Sequence, residues 1–204
     1  MRLALMAASM LVAGMTTVHA QESNWRMLGG FGYASGGGTI LSGTITTVGT
    51  NKVTPFDVQA GSGLQVRVGA EYRFTDKVTV QASIGHSSSE PMGINGSYDF
   101  TVIPLEVMAF LEPVKGYRIG AGLRQSSATL TGKGVAANDP ANGSYTSSPG
   151  AVLELQYLFS NGTNSARNPN GQFGISLRGV RESFSHPLGT LDGNHYEIGS
   201  VLYY

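Results

Sequence analysis

Residues 64–74 read LQVRVGAEYRF, a stretch in which apolar and polar side chains alternate without a break. A β-strand projects successive side chains to opposite faces, so every second residue lies on the same face. One face is therefore entirely apolar, whereas the other carries Arg67, Glu71 and Arg73. The stretch predicts a strand whose two faces meet different surroundings.

The same period of two recurs in seven further segments, which are residues 25–34, 78–85, 103–111, 117–124, 151–159, 173–178 and 196–204. Tilted strands of about 10 residues are long enough to cross a bilayer. Together the segments predict an all-β chain folded as an eight-stranded antiparallel transmembrane β-barrel.

The connections between these segments alternate in length. The long polar ones are Ser35–Gly61, Ser88–Gly96, Ser126–Ser148 and Ser185–Gly193, and the shorter ones are Thr75–Lys77, Glu112–Gly116 and Ser160–Gly171. Long loops at one end and short turns at the other are typical of outer-membrane barrels. Within the first long connection, residues 39–50 half-alternate, which predicts an extension of the first hairpin above the membrane.

The first 20 residues differ from the rest of the chain. Arg2 is their only charge, an apolar run follows, and the segment closes on Ala20. This pattern predicts a secretory signal peptide at residues 1–20, followed by one barrel domain at residues 21–204. The alternative is an uncleaved anchor, but the apolar run is shorter than the roughly 20 residues of a spanning helix.

The amino-acid composition excludes several kinds of site and partner. The chain has no cysteine, which excludes disulfides, thiolate metal sites and thiol nucleophiles. No basic tract is present, so nucleic acid is not an expected partner. We expect no cofactor and no metal, because the histidines that follow the predicted signal peptide (His86, His186 and His195) are dispersed.

A soluble β-sandwich is the main alternative for an alternating all-β sequence. All four lysines (Lys52, Lys77, Lys115 and Lys133) fall in predicted loops or turns, whereas the polar strand faces carry arginine and glutamate. Arginine pairs with carboxylates in enclosed spaces better than the strongly hydrated lysine does. Aromatic residues also gather near the short-turn ends, as at a membrane interface: Trp25, Tyr72, Phe74, Tyr117, Tyr157, Phe159, Phe173 and Tyr204. Both features favour the barrel.

The chain resembles the small eight-stranded outer-membrane barrels of Gram-negative bacteria, a group that includes the OmpA transmembrane domain, OmpX and the opacity-like proteins. The signal-like start, TVIPLEV (101–107), YRIGAGLR (117–124) and DGNHYEIGSVLYY (192–204) carry the resemblance. It implies a location in the bacterial outer membrane, contact with its lipid and lipopolysaccharide, and recognition of the strand ending at Tyr204 by the barrel-assembly machinery. Ser200 departs from the terminal alternation. We expect a monomer with a structural or surface-binding role.

The inward register gathers many charges in the predicted lumen: Arg26, Arg67, Arg73, Arg118, Arg124 and Arg178 with Glu71, Glu106, Glu154 and Glu197, and Glu182 near the outer rim. An unpaired buried charge costs several kcal/mol, so these groups are expected to pair. Eight strands enclose just enough room for side chains. The network is therefore predicted to be structural packing, and the alternative is a gated pore for ions or small solutes.

One short motif suggests catalysis. His86, Ser88 and Glu90 form a His-x-Ser pair with a nearby carboxylate, which is an arrangement that activates a serine nucleophile. It is similar to the signature of lipid A deacylases, but those carry His-x-Ser-Asn near the C-terminus, and residues 177–189 lack it. A lipid A hydrolase is thus an alternative function, and polar residues at the start of a loop are the simpler interpretation.

Arg181 breaks the apolar pattern of its strand near the outer end. At the membrane midplane an arginine on the lipid face would cost about 2–4 kcal/mol, and near the interface much less. Arg181 is therefore a candidate contact for lipopolysaccharide phosphates, unless the strand has already left the membrane there. The long loops Ser35–Gly61 and Ser126–Ser148 are the candidate binding surfaces.

Overall fold

The structure is a computed structural model that describes residues 24–46, 53–89, 96–159 and 171–204. Residues 1–20, the predicted signal peptide, lie outside the described residues. The described strands are β1 (Trp25–Gly36), β2 (Thr39–Thr46), β3 (Val53–Gln59), β4 (Gly63–Arg73), β5 (Val78–Ser89), β6 (Gly96–Val114), β7 (Tyr117–Gly134), β8 (Gly143–Ser147), β9 (Gly150–Leu158), β10 (Gln172–Arg181), β11 (Ser183–His186), β12 (Gly189–Asp192) and β13 (His195–Tyr203). No helix in these ranges is long and apolar enough to span a membrane.

Eight strands close into a ring in which every neighbour is antiparallel. The order is β1, β4, β5, β6, β7, β9, β10 and β13, and β13 pairs again with β1. All eight segments predicted from the alternation are barrel strands, so the predicted eight-stranded fold is confirmed. A closed ring pairs the backbone groups of every strand on both sides, as a hydrocarbon environment requires.

Residues 64–73 of the stretch quoted first lie in β4, and the two faces of this strand differ as predicted. Leu64 and Val66 are 57% and 49% exposed on the outside, whereas Arg67 and Glu71 are 9% and 0% exposed inside. Arg73 was also predicted to lie inside, and this is wrong, because Arg73 is the last residue of β4 and its side chain is exposed beyond the lumen. The apolar face of the strand therefore covers the outside of the barrel.

Tight turns close one end of the barrel, which we call the turn end. Between β4 and β5, the Thr75 hydroxyl accepts hydrogen bonds from the backbone N–H groups of Lys77 and Val78 at 3.2 and 3.0 Å. Between β6 and β7, Gly116 has φ = 86°, a conformation that favours glycine. The connection between β9 and β10 is described only at its ends.

The opposite end, which we call the loop end, contains more sheet than predicted. The upper parts of β6 and β7 continue beyond the ring and join β8, β11 and β12 in the order β12, β11, β8, β7 and β6. The prediction of loops at Ser126–Ser148 and Ser185–Gly193 is therefore partly wrong. Both β9 and β8 pair with β7, with Arg124 opposite Gly150 and Ser127 opposite Thr146. Two residues of β7 thus face three residues, 147–149, between β8 and β9, a one-residue excess like that of a β-bulge.

The hairpin of β2 and β3 also lies at the loop end, where it forms a two-stranded sheet of its own. Hydrogen bonds from the Gly61 N–H to the Gly36 carbonyl at 3.2 Å and from the Ala60 N–H to the Gly38 carbonyl at 3.0 Å continue the β1–β4 hairpin into β2 and β3. The described part of residues 39–50 therefore extends the first hairpin, as predicted. An apolar cluster joins the hairpin to the protruding sheet, and we call it the roof: Val58, Ala60, Phe100, Val102, Ala128, Leu130, Tyr145 and Phe184. On β7 the inward residues change from Arg124 and Ser126 to Ala128 and Leu130, so the roof lies directly beyond the charged lumen.

Candidate functional site

The barrel interior is the densest group of ionisable side chains in the described chain. Five arginines and five glutamates point inward and are buried: Arg26, Arg67, Arg118, Arg124, Arg178, Glu71, Glu106, Glu154, Glu182 and Glu197. Alternation on the barrel strands places nine of them on the face opposite the outward apolar residues, and Glu182 directly follows β10. The structure thus brings together the predicted network apart from Arg73.

A lower layer near the turn end is centred on Glu71. The Arg26 Nε donates to Glu71 Oε1 at 3.1 Å, and the Arg118 Nη2 donates to Glu71 Oε2. Arg118 also donates to Gln156 Oε1 at 3.1 Å. Its guanidinium lies 4.5 Å from the ring centroid of Phe110, a distance suited to a cation–π contact. One carboxylate therefore neutralises two buried guanidinium groups.

The middle layer is a bidentate pair. The two terminal nitrogens of Arg67 donate to the two carboxylate oxygens of Glu154 at 3.1 and 2.6 Å. Gln156 Nε2 adds a bond to Glu154 at 2.8 Å, and Arg178 Nε lies 3.1 Å from Glu154 Oε2. The fork geometry orients Arg67 as well as neutralising it.

The upper layer is shared among several strands. Arg124 contacts Glu106 at 2.9 Å, Glu182 at 3.1 Å and Glu197 at 3.2 Å. Arg178 donates to Glu106 Oε2 at 2.5 Å and also to Glu197. Each arginine in this layer has more than one carboxylate partner, so it would keep a partner if one glutamate were removed. In the lower layer, Arg26 and Arg118 depend on Glu71 alone among the described carboxylates.

Sequence reasoning missed the neutral and histidine members of this interior. His195, the first residue of β13, is 4% exposed and its Nε2 lies 2.9 Å from Glu197 Oε1. Tyr203 donates its hydroxyl to Gln156 Oε1 at 2.9 Å. The alternation pattern could have identified Gln156 and Tyr203, because each occupies an inward-facing position of its strand.

One small gap borders the inward arginine side chains. A gap of about 20 Å³ lies beside the glycines Gly30, Gly32 and Gly199, next to Arg67 and Arg178. A space of this size holds roughly one water molecule. Adding a Cβ at Gly30 would place it 2.7 Å from the Arg67 side chain, so glycine there leaves room for the guanidinium.

Of the candidate catalytic residues, the two that the structure describes, His86 and Ser88, do not hydrogen-bond to each other. His86 is exposed on the outside of β5, opposite Val66. The Ser88 hydroxyl donates to Asp99 Oδ1 at 3.2 Å, and Glu90 lies outside the described residues. Within the described ranges, no group of three or more histidine or acidic side chains is arranged to hold a metal ion.

Arg181 lies at the last position of β10, with its side chain exposed on the outside of the barrel and opposite Ala151. Two outward positions closer to the turn end on this strand are Ile175 and Leu177, which are about half exposed. Arg181 therefore sits where the apolar belt ends.

The tip of the protruding sheet is held by polar contacts. The Tyr98 hydroxyl donates to Asp139 Oδ2 at 2.7 Å, and this hydrogen bond raises the pKa of Tyr98 above its ordinary value. Burial raises the pKa of Tyr145, whose hydroxyl donates to the Ala141 carbonyl at 2.7 Å. His186 stacks on Tyr145 with ring centroids 4.4 Å apart. These contacts order the connection between β7 and β8.

Comparison with models of known protein families gives no match, and comparison with curated protein sequences gives none. Among solved structures, the chain is similar to Ail, the attachment invasion locus protein of Yersinia pestis, at 12% identity and a TM-score of 0.52, covering 88% of this chain and 98% of Ail. A structure of Ail with the heparin analogue sucrose octasulfate gives 12% identity and a TM-score of 0.51, covering 88% of this chain and 99% of Ail. Neisserial surface protein A aligns at 10% identity and a TM-score of 0.48, covering 89% and 96% of the two chains.

The likeness to Ail extends over most of both chains, and it agrees with the ring of eight antiparallel strands. The apolar outside and the charged interior also agree with it. This chain has the fold of the small eight-stranded outer-membrane β-barrels.

Proposed function

We propose that this chain is a monomeric protein of the bacterial outer membrane with a structural and surface-binding role and a lumen that does not conduct. The observation that carries the proposal is the contrast between the two barrel surfaces. Outward residues such as Leu153 and Leu123 are 66% and 68% exposed, whereas five arginines and five glutamates are buried inside. Contact with lipid explains why the outward leucines are exposed, and an interior closed to water and lipid explains why the charged residues are buried and paired.

The filled interior supports a structural role. Each of the five buried arginines contacts at least one glutamate, and each glutamate contacts at least one arginine. These contacts cross the lumen between strands far apart in sequence, such as Arg67 on β4 and Glu154 on β9. The roof then covers the loop end with apolar side chains. The network therefore stabilises the barrel by linking opposite strands across the lumen.

The surface-binding role rests on the loop end. Strands β6 and β7 have 19 and 18 residues, about twice what a tilted strand needs to cross a bilayer. The excess raises an ordered sheet beyond the membrane, where it can meet other molecules. The exposed position of Arg181 at the end of β10 supports our proposal that it contacts lipopolysaccharide phosphates.

The monomeric state and recognition by the barrel-assembly machinery are parts of the proposal that β13 supports. It pairs with β1 on one side and β10 on the other, so it offers no free edge to a second copy. Outward Ile198, Leu202 and Tyr204 form an apolar terminal strand ending in an aromatic residue. This is the part of the chain that we propose the barrel-assembly machinery reads.

A narrow pore is the second candidate, and Arg178 favours it. Its guanidinium contacts Glu106, Glu154 and Glu197, which lie on three different strands. An arginine with three partners can change partners without becoming unpaired, as a gate would require.

Planar-bilayer conductance of the refolded chain tests the proposal. We expect a silent wild type, and we expect Glu154→Ala and Arg178→Ala to remain silent because the roof still covers the lumen. Ile175→Val on the outside of β10 is the control for handling and insertion. Steady ion current through the wild type would contradict the closed lumen, and current in the charge variants alone would establish the gate.

A further inference from the structure

The outer face of the protruding sheet is built almost entirely from hydroxyl side chains. Six exposed residues define what we call the hydroxyl face: Ser127, Thr129, Ser144, Thr146, Ser185 and Thr190. They belong to β7, β8, β11 and β12 and alternate with the buried roof residues. The pattern therefore reflects one continuous side of a sheet and not a loop.

Register places these hydroxyls in regular rows. Ser127 lies opposite Thr146, Thr146 lies opposite Ser185, and Ser185 lies opposite Thr190. Neighbouring strands are about 4.8 Å apart, and alternate residues along a strand are about 6.8 Å apart. Within the described part of the chain, none of the six hydroxyls has a hydrogen-bond partner, so their donors and acceptors remain available to a ligand.

The face lacks the charges that usually cover a water-facing sheet, where lysine and acidic residues are common. Lys133, Asp99 and Asp192 lie at its margins, and none lies among the six hydroxyls. A neutral array of donors and acceptors suits neutral sugar hydroxyls. It does not suit a polyanion, which would need arginine or lysine.

The position of the face indicates which sugar it meets. Along β10 and β11 the outward residues run from Ile175 and Leu177 to Arg181 and then to Ser185. Lipopolysaccharide has the same order from the membrane outward: acyl chains, phosphates and saccharide. Ser127 lies four residues beyond the lipid-facing Leu123 on β7, which is about 13 Å along the strand.

We propose that the hydroxyl face binds the neutral hexoses of the core saccharide of lipopolysaccharide molecules packed around the barrel. The inference rests on the proposed outer-membrane function and adds a site and a ligand chemistry to it. Several neutral hydrogen bonds made side by side would select the sugar layer, while Arg181 engages the phosphate layer below. The protruding sheet would then be held upright by the lipid that surrounds it.

Unfolding in vesicles tests the proposal. The refolded chain is placed in phospholipid alone, with deep-rough lipopolysaccharide that keeps the acidic innermost sugars but lacks the neutral core hexoses, and with lipopolysaccharide that carries the full core. The test variant is Ser127→Ala, Thr129→Val, Thr146→Val and Ser185→Ala, whose changes keep side-chain size and strand preference. Thr39→Val with Thr44→Val on the β2–β3 hairpin is the matched control.

We expect the wild-type unfolding midpoint to rise with the deep-rough lipid and to rise again with the full core. The test variant should lose most of the second rise and keep the first, and the control should keep both. A second rise of wild-type size in the test variant, no second rise in the wild type, or an equal rise with soluble dextran would overturn the saccharide site. A chain that fails to insert, or that gains nothing from the deep-rough lipid, would instead contradict the underlying function.

Discussion

Replacing Glu71 with glutamine tests whether the lower charge layer depends on a single carboxylate. Glu71 is 0% exposed, and among the described residues it is the only carboxylate in contact with Arg26 and Arg118. Breaking a buried ion pair by removing one partner typically costs about 3–5 kcal/mol. Because Glu71→Gln leaves two guanidinium groups without a counter-charge, we expect a loss of about 3–5 kcal/mol in the free energy of unfolding.

Glu106→Gln is the matched comparison, because it is an equally buried glutamate in the redundant upper layer. Its partners Arg124 and Arg178 each keep Glu197, and Arg178 also keeps Glu154. We expect a smaller loss of about 1–3 kcal/mol, close to that of one buried hydrogen bond to a charged group. Urea unfolding of both variants in the same lipid, followed by the fluorescence of the single tryptophan, measures the difference. If Glu71→Gln costs no more than Glu106→Gln, the layered description of the lumen is wrong.

Three further changes probe other parts of the molecule. Phe184→Ala removes a fully buried roof side chain and should cost about 3–5 kcal/mol, with limited proteolysis detecting an opened loop end while the barrel stays protected. Arg181→Glu should abolish the stabilisation by deep-rough lipopolysaccharide without changing the unfolding midpoint in phospholipid. If the variant is stabilised as much as the wild type, Arg181 does not contact the phosphates. Ser88→Ala should leave the mass spectrum of cellular lipid A unchanged, because the Ser88 hydroxyl donates to Asp99. A difference in lipid A mass between the two strains would support the lipid A hydrolase instead.

The ring of strands could be predicted because each barrel strand has two unlike faces. In 64–74 the outward residues are apolar and the inward ones polar, so a period of two stands out from the sequence alone. In the protruding sheet the outward residues are Ser and Thr, and this composition resembles a loop. The inward Ala128 and Leu130 do alternate there, which is the signal that could have extended β7.

The partners within the lumen could not be predicted from alternation. Parity places Arg67 and Glu154 inside, but their pairing depends on how the barrel staggers strands that are 87 residues apart in sequence. Only the closed ring shows that Glu71 serves two arginines while Arg178 contacts three glutamates. The same stagger explains Arg73, which has inward parity but lies beyond the end of the lumen.

Lipid contact at neighbouring residues tests the central claim most directly. The chain has a single tryptophan, so in a Trp25→Phe background one tryptophan can be introduced at outward Leu153 or Leu155, or in place of the buried inward rings of Phe110 or Tyr203. In vesicles containing brominated lipid, we predict strong quenching at the two outward positions and little at the two inward ones. Equal quenching at all four positions, or a folded chain that stays soluble in buffer without lipid or detergent, would contradict a barrel with an apolar outside and a sealed charged interior.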